Sequence, residues 1–115
     1  MAELDVNQRQ AGDVTILDLS GEVRIGDSSV ALRDSIRKLA DTGKTKVLLN
    51  LAGVKYIDST GIGELIASYA TLTRQGGQLK LLKLTDRIQN LLVITKLLTV
   101  FDSFEDEAGA LQSFQ

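Results

Sequence analysis

The segment from residue 56 to residue 64 contains the side chains of this chain that are best suited to chemistry. It places one carboxylate and two hydroxyls next to one another, in Asp58, Ser59 and Thr60. A serine or threonine hydroxyl in an exposed turn can be presented to the active site of another protein and can receive a phosphoryl group there. The segment therefore has the residues that a covalent modification site requires.

The same residues also suit a simple helix N-terminus. Asp, Ser and Thr are preferred N-cap residues because their side-chain oxygens accept hydrogen bonds from the first free N–H groups of a helix. Gly61 and Gly63 fall in the predicted first turn, where each glycine costs about 1 kcal/mol relative to alanine. They either permit tight packing inside the protein or let the backbone of a partner approach closely. Spacing alone leaves capping and modification open.

The segment is predicted to join a strand to a helix. Residues 46–51 are nearly all apolar, as in a strand that is covered on both faces of a sheet, and Gly53 predicts a loop after it. Beyond the segment, apolar residues recur at helical spacing over 62–75. Sites in open parallel sheets form where strands end and helices begin. Of the junctions of this kind along the chain, only this one combines a carboxylate, two hydroxyls and two glycines.

The remaining pattern alternates strands with helices. Strand patterns occupy residues 4–9, 14–19, 78–84 and 98–101. One helix pattern begins after residues 27–29, a second begins after Thr85, and a last one occupies residues 105–114. A turn at 10–13 makes the first two strands a hairpin, and oxygens of Asp27, Ser28 or Ser29 would cap the first helix. The alternation predicts an α/β fold with a mostly parallel central sheet of four to five strands, an N-terminal hairpin and about four helices packed against the sheet. The length of 115 residues predicts one domain over residues 1–115.

The composition excludes most enzyme classes. Because the chain has no Cys and no His, it can form neither a thiolate nucleophile, a cysteine zinc site nor a Ser-His-Asp arrangement. A metal site made only of carboxylates and a Lys base stay open. We nonetheless expect no enzyme activity, no metal and no cofactor.

Charge and hydropathy argue against two further classes of partner. The 13 basic and 15 acidic residues give a net charge of −2 without a basic stripe, so nucleic-acid binding is not expected. No apolar run approaches the ~18 residues of a membrane span, and residues 1–5 lack the features of a signal peptide. We expect a cytoplasmic protein with no membrane partner.

A short motif, DSTGIG at residues 58–63, follows the apolar strand and is accompanied by further segments along the chain. These are LSGE at 19–22, VLLNL at 47–51, GG at 76–77 and LLVITKL at 91–97. Together they resemble the STAS domain family, and more narrowly its anti-sigma factor antagonist (anti-anti-sigma factor) branch. The resemblance covers nearly the whole chain, and its six-residue core is most specific when it lies on a turn from a strand to a helix.

The resemblance implies a switch between protein partners. In this family the residue after the Asp is the phosphorylated serine, here Ser59, and Thr60 is a minor alternative. The modifying enzyme is typically an anti-sigma factor that is also a serine kinase of the GHKL type. The unphosphorylated antagonist binds this kinase and frees the sigma factor, phosphorylation ends the binding, and a PPM-type serine phosphatase resets the system. We further expect Asp58 to position the Ser59 hydroxyl by a hydrogen bond.

The resemblance also implies a partner surface around the motif. We assign to it Asp58, Ser59, Thr60, Gly61, Ile62, Gly63, Glu64, Arg24 and Asp27. Arg24 and Asp27 belong to VRIGD at residues 23–27, where the chain departs from the family pattern. Glu64 has a second interpretation as a solvated charge on the helix surface. Arg87 and Lys83 could accept an anion but are not included in the predicted site.

Three alternatives to a phosphorylated antagonist follow from the same residues. The chain could be a STAS module that acts as an unphosphorylated scaffold or sensor in a signalling assembly. Ser59 could instead be a nucleophile assisted by Asp58, although no His is present to act as the base. Nucleotide binding is the third alternative, although the chain lacks the Lys-Ser/Thr phosphate loop.

Overall fold

A computed structural model describes residues 4–115, and its centre is a five-stranded sheet. The strands are β1 (Leu4–Ala11), β2 (Val14–Val23), β3 (Lys46–Ile57), β4 (Gln78–Leu82) and β5 (Ser103–Phe104). They lie side by side in chain order; β1 is antiparallel to β2, whereas the other neighbours are parallel. The predicted α/β class, the mostly parallel sheet and the N-terminal hairpin are confirmed.

Within the described residues 4–115, four helices accompany the sheet, as predicted. They are α1 (Asp27–Asp41), α2 (Ser59–Arg74), α3 (Asp86–Ile94) and α4 (Glu107–Gln112). Among the helices of residues 4–115, none combines the length and the apolar character needed to cross a lipid bilayer.

Neighbouring strand residues point into separate cores on the two faces of the sheet. Leu17 and Leu49 belong to the larger core, together with buried residues of α1, α2 and α3, whereas Ile16 and Leu48 belong to a smaller core with Ala110 of α4. This division follows from the two-residue period of a strand, which sends successive side chains to opposite faces. The helices α1, α2 and α3 therefore pack on one face, and α4 packs on the other.

Strand β3 is longer than its neighbour β4, and this difference shapes the site. β4 pairs only with residues Lys46–Asn50 of β3, whereas β2 stays paired with β3 as far as Ile57. Beyond Asn50, β3 therefore pairs with a strand on one side only in the part of the chain that the structure describes. The second half of β3 extends past the end of β4 and leads directly into α2.

The loop predicted at Gly53 is wrong, because Gly53 lies within β3 opposite Ser20. A Cβ atom at this position would lie 2.9 Å from the carbonyl oxygen of Leu19, so only glycine fits without displacement of the backbone. Glycine inside a strand often marks such a close approach, and here it coincides with a register shift between β2 and β3.

The last strand predicted at residues 98–101 is also wrong. Residues 98–100 form a turn, and the short strand β5 follows at Ser103–Phe104. The apolar residues of this stretch serve the core instead of the sheet. Phe101 is buried and packs edge-on against Tyr69, with the ring centroids 5.5 Å apart.

The predicted cap of the first helix differs from the one observed. Gly26 is the N-cap of α1, and no side chain accepts a hydrogen bond there. Asp27, Ser28 and Ser29 are the first residues of the helix itself. The two serine hydroxyls donate backwards, to the carbonyl oxygens of Arg24 and Gly26. They therefore hold the preceding loop and do not cap the helix.

Candidate functional site

Ser59 is the first residue of α2, and only Asp58 separates this helix from the end of β3. Its side chain is exposed. Among residues 4–115, its hydroxyl has no hydrogen-bond partner. A hydroxyl in this position is open to an external active site, and it lies where the N–H groups and dipole of the helix favour an anion.

Asp58 ties the turn to the neighbouring loop through both of its carboxylate oxygens. Oδ1 accepts a hydrogen bond from the backbone N–H of Gly61 at 2.8 Å, which caps α2, and Oδ2 accepts one from the N–H of Ile25 at 3.0 Å. Burial acts to raise the pKa of Asp58, but the N–H donors of Gly61 and Ile25 outweigh it and lower the pKa below its ordinary value.

The expected hydrogen bond from the Ser59 hydroxyl to Asp58 is therefore wrong. The carboxylate instead accepts its hydrogen bonds from backbone N–H groups on two segments. The Asp58 carboxylate fixes the turn and does not bind the Ser59 hydroxyl.

The two glycines of the motif have different surroundings. A Cβ atom at Gly61 would lie 2.6 Å from Cγ1 of Ile57 and 2.8 Å from the carbonyl oxygen of Val23. Gly61 therefore serves tight packing inside the protein. Gly63 is exposed, and a Cβ atom there would meet nothing within 4 Å. Internal packing therefore accounts for Gly61 but not for Gly63.

Three other predicted contact residues face partly or wholly inward. Thr60 is half-buried, and Ile62 is buried in the larger core. Glu64 is 8% exposed and pairs with Arg33 of α1, whose Nη2 lies 2.7 Å from its Oε1. The interpretation of Glu64 as a solvated charge is wrong, because the ion pair lies between two packed helices. Whether a partner contacts these residues stays a prediction.

The segment that joins β2 to α1 lies beside the turn, as its assignment to the same surface requires. Arg24 and Asp27 are exposed, and the bond between Ile25 and Asp58 holds the segment next to Ser59. Ile25 itself is 76% exposed. Ile25 was not among the residues predicted for this surface, although its position as a large apolar residue between Arg24 and a glycine was an available signal.

A stack of two arginines on one tyrosine borders the same turn. The guanidinium carbon of Arg24 lies 4.5 Å from the ring centroid of Tyr56, and that of Arg87 lies 4.2 Å from it. Arg24 also pairs with Glu22 at 2.6 Å. Arg87, which the prediction left out, is therefore a neighbour of the candidate modification site.

A cleft of about 410 Å³ separates the end of β3 from α3. Its walls are Tyr56, Ile57, Asp58 and Ser59 on one side and Arg87, Asn90, Leu91 and Ile94 on the other. The residues of α3 recur at intervals of three and four, which places them on one face of the helix. The cleft lies alongside the part of β3 that no longer pairs with β4.

The chemistry available at this site is that of an acceptor. The cleft residues include no His or Cys, and within the described range 4–115 no cluster of His, Cys, Asp or Glu could hold a metal ion. The side chains present can receive a group on the Ser59 hydroxyl and can bind an anion through Arg87.

Comparison with known proteins agrees with this geometry. The family model of the STAS domain matches residues 5–110. The anti-sigma-B factor antagonist of Bacillus subtilis (strain 168) is 32% identical to this chain over 109 residues, which cover 95% of this chain and 96% of the relative.

Two solved structures share the fold. An anti-sigma factor antagonist from Mycobacterium paratuberculosis superposes with a TM-score of 0.82 at 20% identity, covering 96% of this chain and 93% of that one. The phosphorylated form of the Bacillus cell fate determinant SpoIIAA superposes with a TM-score of 0.76 at 17% identity, covering 96% of this chain and 100% of that one. With its sheet, its turn and these matches, the chain belongs to the STAS domain family.

Proposed function

We propose that this protein is an anti-sigma factor antagonist whose binding is switched off by phosphorylation of Ser59. The observation that carries the proposal is the exposed Ser59 hydroxyl, which has no hydrogen-bond partner within residues 4–115 and begins a helix. The relatives named as antagonists support the first half of the proposal. The partner we propose is an anti-sigma factor that is also a serine kinase of the GHKL type, with a PPM-type phosphatase as the resetting enzyme.

The modification step needs little from this chain beyond its hydroxyl. The Ser59 oxygen forms a bond to the γ-phosphorus of ATP bound to the kinase, and the bond from that phosphorus to the β-phosphate oxygen breaks to release ADP. The hydroxyl proton passes to a base of the kinase, because the cleft of the antagonist offers no His and the Asp58 oxygens already bind N–H groups.

The fold should survive the modification. A phosphoryl group adds about −1.5 to −2 charge at neutral pH, and at Ser59 it would stand at the positive end of the α2 dipole. Because the side chain is exposed, the new charge displaces no core residue. The repulsion from Asp58 is weakened by water at an exposed position.

The effect on a docked partner is larger. Burying a dianion against a partner surface that itself offers no matched cation costs several kcal/mol, and about 1.4 kcal/mol corresponds to a tenfold change in affinity. Release after phosphoryl transfer follows, since the product and the nucleotide phosphates of the kinase repel each other. The switch therefore acts on the interface.

Paired binding measurements with the purified anti-sigma factor test the proposal. Ser59→Ala should bind like the parent and remain unmodified with ATP, as intact mass would show. Ser59→Asp should bind at least about tenfold more weakly, with an unchanged circular dichroism spectrum. Equal binding of Ser59→Asp and the parent would contradict the electrostatic switch.

Thr60→Ala is the matched control, because it removes the adjacent hydroxyl from the same turn. This variant should still gain one phosphoryl group, which would assign the modification to Ser59. If the parent binds the partner but gains no mass with ATP, the unphosphorylated scaffold interpretation would replace the switch.

A further inference from the structure

Arg87 faces Ser59 across the cleft and, among residues 4–115, has no carboxylate partner. Within residues 4–115 its guanidinium makes no hydrogen bond and no ion pair. Its one contact of this kind is the stack on the Tyr56 ring, 4.2 Å from the centroid. The side chain is exposed at the mouth of the cleft. A contact through the ring leaves the N–H donors of the guanidinium without an acceptor.

The location of Arg87 is not one that helix stability favours. It is the second residue of α3, where the helix dipole is positive and repels a cation. The Asp58 carboxylate, the other charged group of the cleft, binds the backbone N–H groups of Gly61 and Ile25. Among the residues that line the cleft, the Arg87 guanidinium therefore has its positive charge and N–H donors available, and no anion binds them.

Asn90 adds a second donor on the same wall. It follows Arg87 by three residues, so both side chains project from one face of α3 into the cleft that Ser59 lines. A guanidinium binds a phosphoryl group through two parallel hydrogen bonds, and a carboxamide NH₂ can donate a third. The volume of about 410 Å³ leaves room for a phosphoryl group between the two walls.

We propose that Arg87, with Asn90 beside it, is the intramolecular receptor for a phosphoryl group on Ser59. This inference rests on the proposed modification of Ser59 and adds where the modified side chain goes. The phosphoserine folds into its own cleft and pairs with Arg87, which the Tyr56 ring holds in place. In the modified protein, the cleft is filled by this pair and is closed to a partner.

The test uses the full chain with phosphoserine placed at position 59 during translation, so that no kinase is needed. The second pKa of the phosphoserine, about 6 when unperturbed, is measured by ³¹P NMR titration. Pairing with Arg87 favours the dianion and lowers this pKa. In Arg87→Gln the pKa should rise by at least about half a unit, a threefold change in proton affinity.

Arg74→Gln is the matched control. It removes the same charge from an exposed position at the other end of α2, about 22 Å away along the helix and beyond the screening length of about 8–10 Å. This variant should leave the phosphoserine pKa unchanged, and Arg87→Lys should give an intermediate value because it keeps the charge without the fork. Equal pKa values in Arg87→Gln and Arg74→Gln would overturn the inference.

The outcome is independent of the kinase experiment. A shift of the phosphoserine pKa by Arg87→Gln supports the receptor even if the anti-sigma factor fails to modify Ser59, which would count against the proposed function alone. Modification of Ser59 without any such shift would remove the receptor and leave the switch intact. Thermal melting gives a second readout, the change in melting temperature that phosphorylation causes within each protein. This change should be more favourable in the parent than in Arg87→Gln.

Discussion

Asp58 supports two segments with one carboxylate, and this makes it the residue that holds the site together. One oxygen caps α2 through Gly61, and the other fixes the loop before α1 through Ile25. Both acceptor bonds require the ionised form to be at full strength, because hydrogen bonds to a charged oxygen are roughly twice as strong as neutral ones. Both bonds should therefore weaken only in acid, where this carboxylate becomes protonated.

The first prediction concerns acid stability. The pKa of Asp58 is lower in the folded state than its ordinary value of 3.8, so the unfolded chain takes up this proton first as the pH falls. The carboxylate therefore contributes its full stability above the unfolded value and loses it as the pH drops through the folded value. Urea unfolding between pH 7 and about 2.5 should show a flatter pH dependence for Asp58→Asn than for the parent.

Asp41→Asn is the control for this measurement, because Asp41 is an exposed carboxylate at the end of α1. It should follow the acid dependence of the parent. At neutral pH, Asp58→Ala should be less stable than the parent by about 1 kcal/mol, which is the usual cost of removing an N-cap oxygen. If Asp58→Asn and Asp41→Asn lost stability in parallel in acid, the charged cap would not be the cause.

The elements around the turn explain why a cleft exists next to Ser59. β3 continues to Ile57, whereas β4 ends at Leu82 after pairing with only the first part of β3. Where β4 no longer pairs with β3, α3 lies opposite the free edge of β3. A helix does not hydrogen-bond to that edge as a neighbouring strand would, and a cleft is left between the two. A difference in strand length therefore produces the space that Arg87 and Ser59 share.

The second prediction uses the two glycines of α2 as a matched pair. Gly61→Ala should destabilise the protein by about 1–3 kcal/mol, because the added methyl group would meet Ile57 and the Val23 carbonyl oxygen. Gly63→Ala should stabilise it by up to about 1 kcal/mol, since the position is open and alanine is the better helix former.

The same pair distinguishes packing from partner contact. If the backbone of a partner approaches Gly63, Gly63→Ala should weaken binding to the anti-sigma factor while it raises the free energy of unfolding. Thermal unfolding and isothermal titration on the same samples would separate the two effects. A Gly61→Ala protein as stable as the parent would contradict the tight packing assigned to that position.

The elements that the sequence predicted best are those with a local signal. The helical period after residue 62 and the apolar run from Lys46 located α2 and β3, and Asp58 was among the proposed caps. The predictions from local sequence were wrong at positions where contacts with distant residues determine the secondary structure. The local sequence at Gly53 predicts a loop, but Gly53 lies in β3, where glycine is needed because the Leu19 carbonyl oxygen comes so close. Residues 98–101 read as a strand, but Phe101 packs on Tyr69.

The residues of the candidate site were also predicted only where neighbours in the sequence gave a signal. Ser59 was predicted because its neighbours in the sequence form a motif, whereas Arg87 was left out. Arg87 comes 28 positions after Ser59 in the chain, and only the placement of α3 beside β3 brings them to one cleft. Ile25 was missed for the same reason, because its bond to Asp58 spans 33 residues.

At the scale of the whole molecule, the two faces of the sheet carry separate cores, and only the larger core lies next to the site. The larger core under α1, α2 and α3 carries the turn at Ser59, whereas α4 covers a smaller core on the opposite face. Phe114 closes this smaller core, and the buried Lys80 lies 4.9 Å from its ring centroid and donates to the Ser113 carbonyl oxygen. Changes there should reach the site only through global unfolding.

The third prediction tests this separation. Phe114→Ala should lower the free energy of unfolding by about 3 kcal/mol, because it removes a buried aromatic side chain. Binding to the anti-sigma factor should be unchanged at temperatures where the variant is folded. Val100→Ala, at an exposed apolar position, should change stability by less than about 0.5 kcal/mol. Weaker binding by folded Phe114→Ala would show that the two faces are coupled.

The position of Tyr56 gives the protein a built-in optical reporter. The chain has no tryptophan and two tyrosines; one, Tyr69, packs against Phe101, and the other lies under the two guanidiniums beside Ser59. Light that excites tyrosine but not phenylalanine therefore yields emission from only two side chains of this protein. In a Tyr69→Phe background all of that emission would originate at the cleft, so an unlabelled sample would signal docking or phosphoryl transfer in real time.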